Sequence, residues 1–153
     1  MKKPIKRHEA LKPLSREHHH GLLLCWKIRQ GFKKNVAPER MKKYTDWFKQ
    51  EYLEPHFQME EEYVFPVLGN DNEKVKRALA EHRRLKRLFE QEEDLDKALS
   101  RIEEELDLHI RFEERDLFND VENAATPEDF AEIEKHHTGL AFSDDEWKDH
   151  FWK

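Results

Sequence analysis

The chain has 153 residues, enough for one ordinary domain and too few for two well-buried ones. Four glycines and six prolines fall well below the roughly 12% of average usage, which argues against a turn-rich sandwich or barrel. Charged residues make up 41% and the net charge is −6, which disfavours a general phosphate-backbone binder, while ten Phe and four Trp supply a core that a disordered chain would lack.

The start, Met1 to Lys12, is locally basic (Lys2, Lys3, Lys6, Arg7, Lys12) and reads as a solubilising or internally paired segment. The first helix carries Leu11, Leu14, His18, Gly21, Cys25 and Ile28 at helical spacing. Ser15 is suited to cap it and Gly31 to end it. Its apolar run Leu22 to Trp26 is too short for a signal-peptide core or a membrane span. The single cysteine, Cys25, allows no internal disulfide and sits on the apolar stripe, so neither an oxidising compartment nor thiol chemistry is expected. A cytoplasmic protein is the default reading.

The second stretch runs from about Glu39 to Leu68. Its inner face carries Trp47 or Phe48, Tyr52, His56, Glu60, Tyr63 or Val64, and Val67. Pro55 removes a donor in its middle and predicts a kink or two abutting helices. The third helix opens near Asn72 with Val75, Leu79, His82, Leu85, Leu88 and Phe89. After a break near Glu93 to Asp96, the fourth carries Leu99, Ile102, Leu106, His109, Phe112, Glu113 and Leu117.

Thr126-Pro127-Glu128-Asp129 has the cap, proline and first-turn acids of a helix start. That short fifth helix is expected to stop at Gly139. Phe142, Trp147, Phe151 and Trp152 then form a flap over a bundle end, and the tail acids Asp144, Asp145 and Glu146 read as solubilising or internally paired. These elements predict an all-α, up-down-up-down antiparallel four-helix bundle with a short fifth helix and a C-terminal tail. It is a single domain over 1–153, with its core at about 11–122 and the accessory helix and tail at 126–153.

Each main helix places a histidine on its apolar stripe: His18 (beside His19 and His20), His56, His82 and His109. Buried imidazoles need partners where few exist, and a metal ion is one common acceptor for their lone pairs. His56 and Glu60, and likewise His109 and Glu113, stand one helical turn apart, which suits an imidazole on one metal and a carboxylate bridging to a second. With 34 acids in 153 residues, composition alone supplies about two such pairs, so spacing by itself decides nothing.

Context decides more. His56-Phe57-Gln58-Met59-Glu60-Glu61-Glu62-Tyr63-Val64-Phe65 aligns with His109-Ile110-Arg111-Phe112-Glu113-Glu114-Arg115-Asp116-Leu117-Phe118, identical at His, Glu, Glu and Phe. Glu17-His18 and Glu81-His82 form a shorter echo. The pattern predicts approximate two-fold symmetry around a central site.

These residues resemble the hemerythrin-like family, or HHE cation-binding domain, from roughly Leu11 to Phe118. The stretches His56-Phe57-Gln58-Met59-Glu60-Glu61 with Phe65-Pro66, and Glu81-His82-Arg83-Arg84-Leu85, carry the likeness. The resemblance implies a non-haem centre of two iron ions bridged by carboxylates. Carried over, His18, His56, His82 and His109 are terminal ligands and Glu60 and Glu113 the bridges.

The same resemblance leaves two alternatives. Oxygen carriers place the last acid five residues after its histidine, which selects Glu114, and His19 or His20 stands beside His18. Oxygen carriers also have a further histidine where this chain has Lys86. That loss leaves positions for a diatomic ligand or peroxide, and favours a sensor, a redox site or an iron-handling protein over a stable carrier. Zinc or manganese also suits such donors. Gly21 and Cys25 are small enough to leave room beside a metal.

Neither a nucleic acid nor a membrane is an expected partner. The competing readings are a metal-free helical interaction module, a di-iron enzyme reducing oxygen, peroxide or nitric oxide, and a ferritin-like site from Glu17-x-x-His20 and Glu134-x-x-His137. His136, His137 and His150 read as surface or tail residues.

Overall fold

The computed structural model describes residues 7–137 and 142–153. Among them there is no strand, and the structure is a bundle of helices. They are α1 (Lys12–Lys33), α2 (Pro38–Phe48), α3 (Glu54–Met59), α4 (Glu73–Glu90), α5 (Leu95–Phe112), α6 (Phe118–Ala124) and α7 (Pro127–His136). Helix α5 packs along α1 and α4 and also meets α2.

Several local expectations hold for the expected reasons. Asn72 caps α4 through Oδ1, which accepts from the backbone N–H of Lys74 and Val75. Thr126 and Asp129 form a reciprocal capping box at α7. Asp94, at φ +49°, makes the break before α5. Others differ. Pro13 lies in the first turn of α1, and Ser15 is inside that helix, its N–H donating to Leu11 O.

Gly31 does not end α1 but lies within it. A Cβ there would collide with Met41 Sδ, so the glycine is what lets α2 approach. The chain instead reverses after Lys33 through Asn35, at φ +58°. Helix α7 ends at His136, and the stop expected at Gly139 lies outside the described residues.

The second stretch stays helical from Pro38 to Val67, but changes its winding. π-helical turns occupy Lys49–Leu53 and Glu60–Val64, and a third lies at Glu113–Leu117 in the last long helix. The first ends where α3 begins, so Pro55 falls in the opening turn of α3. The wider π-helical turn just before it gives the ring room that an unbroken α-helix would not.

The core has two parts. One joins Leu24, Ile28, Met41, Tyr44, Phe48 and Leu99 to the tail residues Phe151 and Trp152, with Phe142 and Trp147 packed against them. The expected flap is therefore present. Lys27 is buried beneath it, its ammonium 4.0 Å from the Trp152 ring centroid and bonded to Tyr44 and Asp144. The second part joins Leu14, Val64, Phe65, Phe118 and Ile133. No helix of the described residues is long and apolar enough to cross a membrane.

Replacing Pro55 by Ala tests the winding. With the π-helical turn accommodating the ring, denaturant unfolding should shift by less than about 1 kcal/mol. A gain near 3 kcal/mol would instead mean that the ring obstructs a continuous helix.

Candidate metal centre

Between the two cores, the structure brings together all six residues singled out by the repeat. His18, His56, Glu60 and Glu113 form one cluster, and Glu60, His82, His109 and Glu113 form another. In each, the candidate donor atoms lie within 4.8 Å of one another, and all six residues are buried. The imidazoles come in pairs, His18 with His56 at 4.8 Å between ring centroids and His82 with His109 at 4.9 Å. Glu60 and Glu113 belong to both clusters.

Every imidazole is turned the same way by a carboxylate on its outer nitrogen. His18 Nδ1 meets Glu114 Oε1 at 2.7 Å, and His56 Nδ1 meets Glu17 Oε1 at 2.8 Å. His82 Nδ1 meets Glu61 Oε2 at 2.8 Å, and His109 Nδ1 meets Glu81 Oε1 at 2.7 Å. An ionised carboxylate only accepts, so each Nδ1 carries the proton and each Nε2 is aimed inward. The Glu-His echo and the Glu-Glu pairs thus acquire a purpose. In each half, the glutamate before one histidine holds the next helix's histidine, and consecutive glutamates divide between the centre and a neighbouring imidazole.

Local winding makes that division possible. Two of the three π-helical turns open at an inward glutamate, Glu60 or Glu113. A π turn widens the helix and rotates the residues after it to a new face. Glu60 therefore faces the centre while Glu61 reaches His82, and Glu113 faces the centre while Glu114 reaches His18. Of the two acids left open by the sequence, Glu113 lies in the cluster and Glu114 on the outside of His18. His18 is likewise the member of the triple histidine that enters, since His19 is exposed and His20 half-buried against Tyr52 and Phe142.

Most of the inward atoms are not satisfied by protein. Eight buried side-chain polar atoms make no hydrogen bond among the described residues, and six belong to this ring: Nε2 of His56, His82 and His109, both oxygens of Glu60, and Glu113 Oε2. Each unmade bond costs about 1–3 kcal/mol in a buried place. Their separations from charged neighbours are short but misaligned, at 3.2 Å for His82 Nε2 to Glu60 Oε1 and 3.4 Å for His56 Nε2 to Glu60 Oε2. His109 Nε2 stands 3.4 Å from Glu113 Oε1, whereas His18 Nε2 makes a hydrogen bond to the same oxygen at 3.0 Å. Atoms bound side by side to one ion at about 2.1 Å stand roughly 3 Å apart. Nitrogen and oxygen donors at these separations fit a metal cation.

Electrostatics agree. Burial pushes the imidazoles toward neutrality, but the carboxylates outweigh it: His18 and His82 lie well above their ordinary 6.5, and His56 and His109 are raised. Burial and the Glu113 charge push Glu60 up, but His56 and His18 bring it down to about 2. Glu113 is held well below the usual carboxylate range, its burial outweighed by His109 and its other imidazole neighbours.

Some expectations need correction. The room beside Gly21 is not left for a metal, because Ile110 Cδ1 stands 2.6 Å from where a Cβ would be. Cys25 is fully buried, and burial pushes its thiol up to about 12. His137 is not a surface residue: it is buried and its Nε2 lies 2.5 Å from Glu17 Oε2. Its partner His136 is exposed and stacks on Tyr63. Glu134 is exposed and His20 stands outside both clusters, so the ferritin-like pairing does not form. Arg7, from the basic start, is buried and bonds Glu114, Glu122 and Asn119. Lys86 belongs to neither cluster.

The family model described as Hemerythrin HHE cation binding domain matches residues 8–97, more than half of the chain. The chain belongs to the hemerythrin HHE cation-binding family. No curated protein and no solved structure matches it significantly. The matched span includes His18, His56, Glu60 and His82, whereas His109 and Glu113 of this hemerythrin-like chain rest on the internal repeat and on the geometry.

A pH dependence results. Imidazoles raised above 6.5 stabilise the metal-free fold below that pH, and this contribution is lost as pH rises through their folded-state values. The depressed Glu60 acts oppositely, its contribution present above its ordinary 4.5 and lost as pH falls toward about 2. Melting of chelator-treated protein should therefore fall as pH rises above 6.5. Added metal should stabilise increasingly over the same interval, because cations displace those protons. A metal-free melting temperature that rises from pH 6 to about 9 would contradict the assignment.

Proposed function

We propose that this hemerythrin-like chain binds two iron ions, and that it binds or senses oxygen or a related small molecule such as nitric oxide or peroxide. The observation carrying this reading is the pair of clusters that share Glu60 and Glu113. Two carboxylates common to two imidazole pairs are what a bridged two-ion centre requires, and mixed nitrogen and oxygen donors suit iron, with zinc or manganese as substitutes. His18 and His56 would hold one ion and His82 and His109 the other.

In the same reading the long helical segments run up-down-up-down, the chain is one domain, and it works in the cytoplasm with neither nucleic acid nor membrane as partner. Bound there, two iron ions would supply electrons and coordination positions open to a small ligand. The protein residues do the rest. The four outer carboxylates fix the imidazole tautomers and make each Nε2 a stronger donor. Phe57 stacks on His82 at 3.7 Å, Phe65 lies 5.4 Å from the same ring, and Phe118 lies 5.3 Å from His18. These rings exclude water and lower the local dielectric.

Lys86, in the place of a further histidine, limits the protein donors to six groups shared over two ions. That leaves more of each ion's coordination open, which favours a sensor or a redox site over a stable carrier. Six inward atoms without hydrogen bonds weigh against a metal-free interaction module.

Metal content with an optical spectrum tests the reading on protein expressed with iron and handled without chelators. About two irons per chain are expected, with bridged ferric bands that change on adding azide or on reduction and reoxidation. Glu60→Ala and His109→Ala should each lose most of the metal, whereas His8→Ala and His150→Ala should lose almost none. Equal loss in all four variants would overturn the assignment.

A further inference from the structure

The internal repeat offers a comparison within one molecule. Glu17 and Glu81 hold equivalent places, each before a clustered histidine and each bonded to the Nδ1 of the next one, His56 or His109. Their surroundings differ. The Glu17 side chain is 3% exposed and is gripped from behind by His137, itself 8% exposed. The Glu81 side chain is 30% exposed, and its second partner is Arg77, 55% exposed, at 3.0 Å. A cleft of about 220 Å³ opens beside Glu81, lined also by Arg77, Arg84 and Leu108.

The backbone at Glu17 is fixed as well. Tyr52 donates its hydroxyl to Glu17 O, and the same ring stacks on His56 at 5.4 Å. The remaining outer carboxylates repeat the contrast more weakly. Glu114, behind His18, is clamped by the buried Arg7. Glu61, behind His82, is 33% exposed and is backed only by the nearby charge of Lys86, with no second close ion pair among the described residues. Arg7 precedes α1 and His137 comes after α7, so chain segments outside the four-helix repeat tighten one half of a centre whose inward donors are symmetric.

We propose that the two metal positions are held unequally, and that His137 is the positioning residue that makes the His18/His56 position the slower to release its ion. This rests on the two-ion reading above. The physical reason is that an imidazole leaves its ion by turning. His56 cannot turn while Glu17 Oε1 holds its Nδ1, and Glu17 cannot turn while His137 holds Oε2. On the other side, water reaches Glu81 and competes for the same hydrogen bond, so His109 turns more readily. Loss of such an outer partner typically weakens metal binding by about 10–100-fold.

The test is release of ferrous iron, loaded anaerobically, to a colorimetric ferrous chelator. Wild-type protein should give two phases of equal size. His137→Phe, which fills the volume without a donor, should accelerate only the slow phase, by about 10–100-fold. His137→Gln, which returns an N–H near the same place, should restore slow release, an outcome that mere packing would not produce. Single-position backgrounds assign the phases: the ion retained in His82→Ala should leave slowly and respond to His137→Phe, and the ion retained in His18→Ala should leave fast and ignore it.

Circular dichroism confirms that each variant is folded before release is read. One phase for both ions, or a slow phase untouched by His137→Phe, overturns the proposal alone. Wild-type protein that never takes up two ions overturns the two-ion reading, and the proposal with it.

Discussion

Two glutamates, Glu60 and Glu113, are fully buried and face one another across the middle of a helical bundle. The rest of the structure is arranged around that constraint. Isolated carboxylates in such a place would be protonated or would unfold the chain. Here four imidazoles surround them, and their charge lets both stay ionised. Protons on the imidazoles meet part of the demand, but six inward atoms still lack hydrogen bonds. A cation would meet the remainder, with donors that are already turned toward it. The same burial that makes the site costly for protein alone therefore makes it suited to a metal ion.

Precision at the centre comes from its surroundings. An imidazole on a helix can rotate, and only the outer bond at Nδ1 decides which nitrogen faces in. Each of the four has such a bond, at 2.7–2.8 Å. Two consecutive glutamates per half supply one inward and one outward group, which a regular α-helix would not aim so well. The π-helical turns that begin at Glu60 and Glu113 supply the needed shift. The winding of the helix and the order of the site are two sides of one local feature.

Much of this was legible in the sequence, for identifiable reasons. A histidine on each apolar stripe, repeated with Glu at one turn's distance, points to a centre because buried imidazoles and carboxylates need partners that an apolar stripe lacks. The family match ends before His109, so the stripe, the repeat and the residue-by-residue likeness point to the fourth helix, and the geometry places His109 and Glu113 with the others. The Glu17-His18 and Glu81-His82 echo was visible, but its use was not. Which helix each glutamate reaches depends on packing that periodicity does not encode. Arg7 and His137 were illegible for the same reason, since both lie outside the repeat and meet the site only in three dimensions. Ser15 and Gly31 misled because cap and stop residues also serve inside helices, Gly31 by admitting Met41.

The central claim is that the ring of inward nitrogen and oxygen atoms is the metal site. Anomalous diffraction at the iron absorption edge, on crystals of iron-loaded protein, tests it most directly. Two peaks about 3.5–4 Å apart, both lying between Glu60 and Glu113, are predicted, with one next to His18 and His56 and the other next to His82 and His109. Iron bound elsewhere on the chain, with this ring left without a peak, would contradict it.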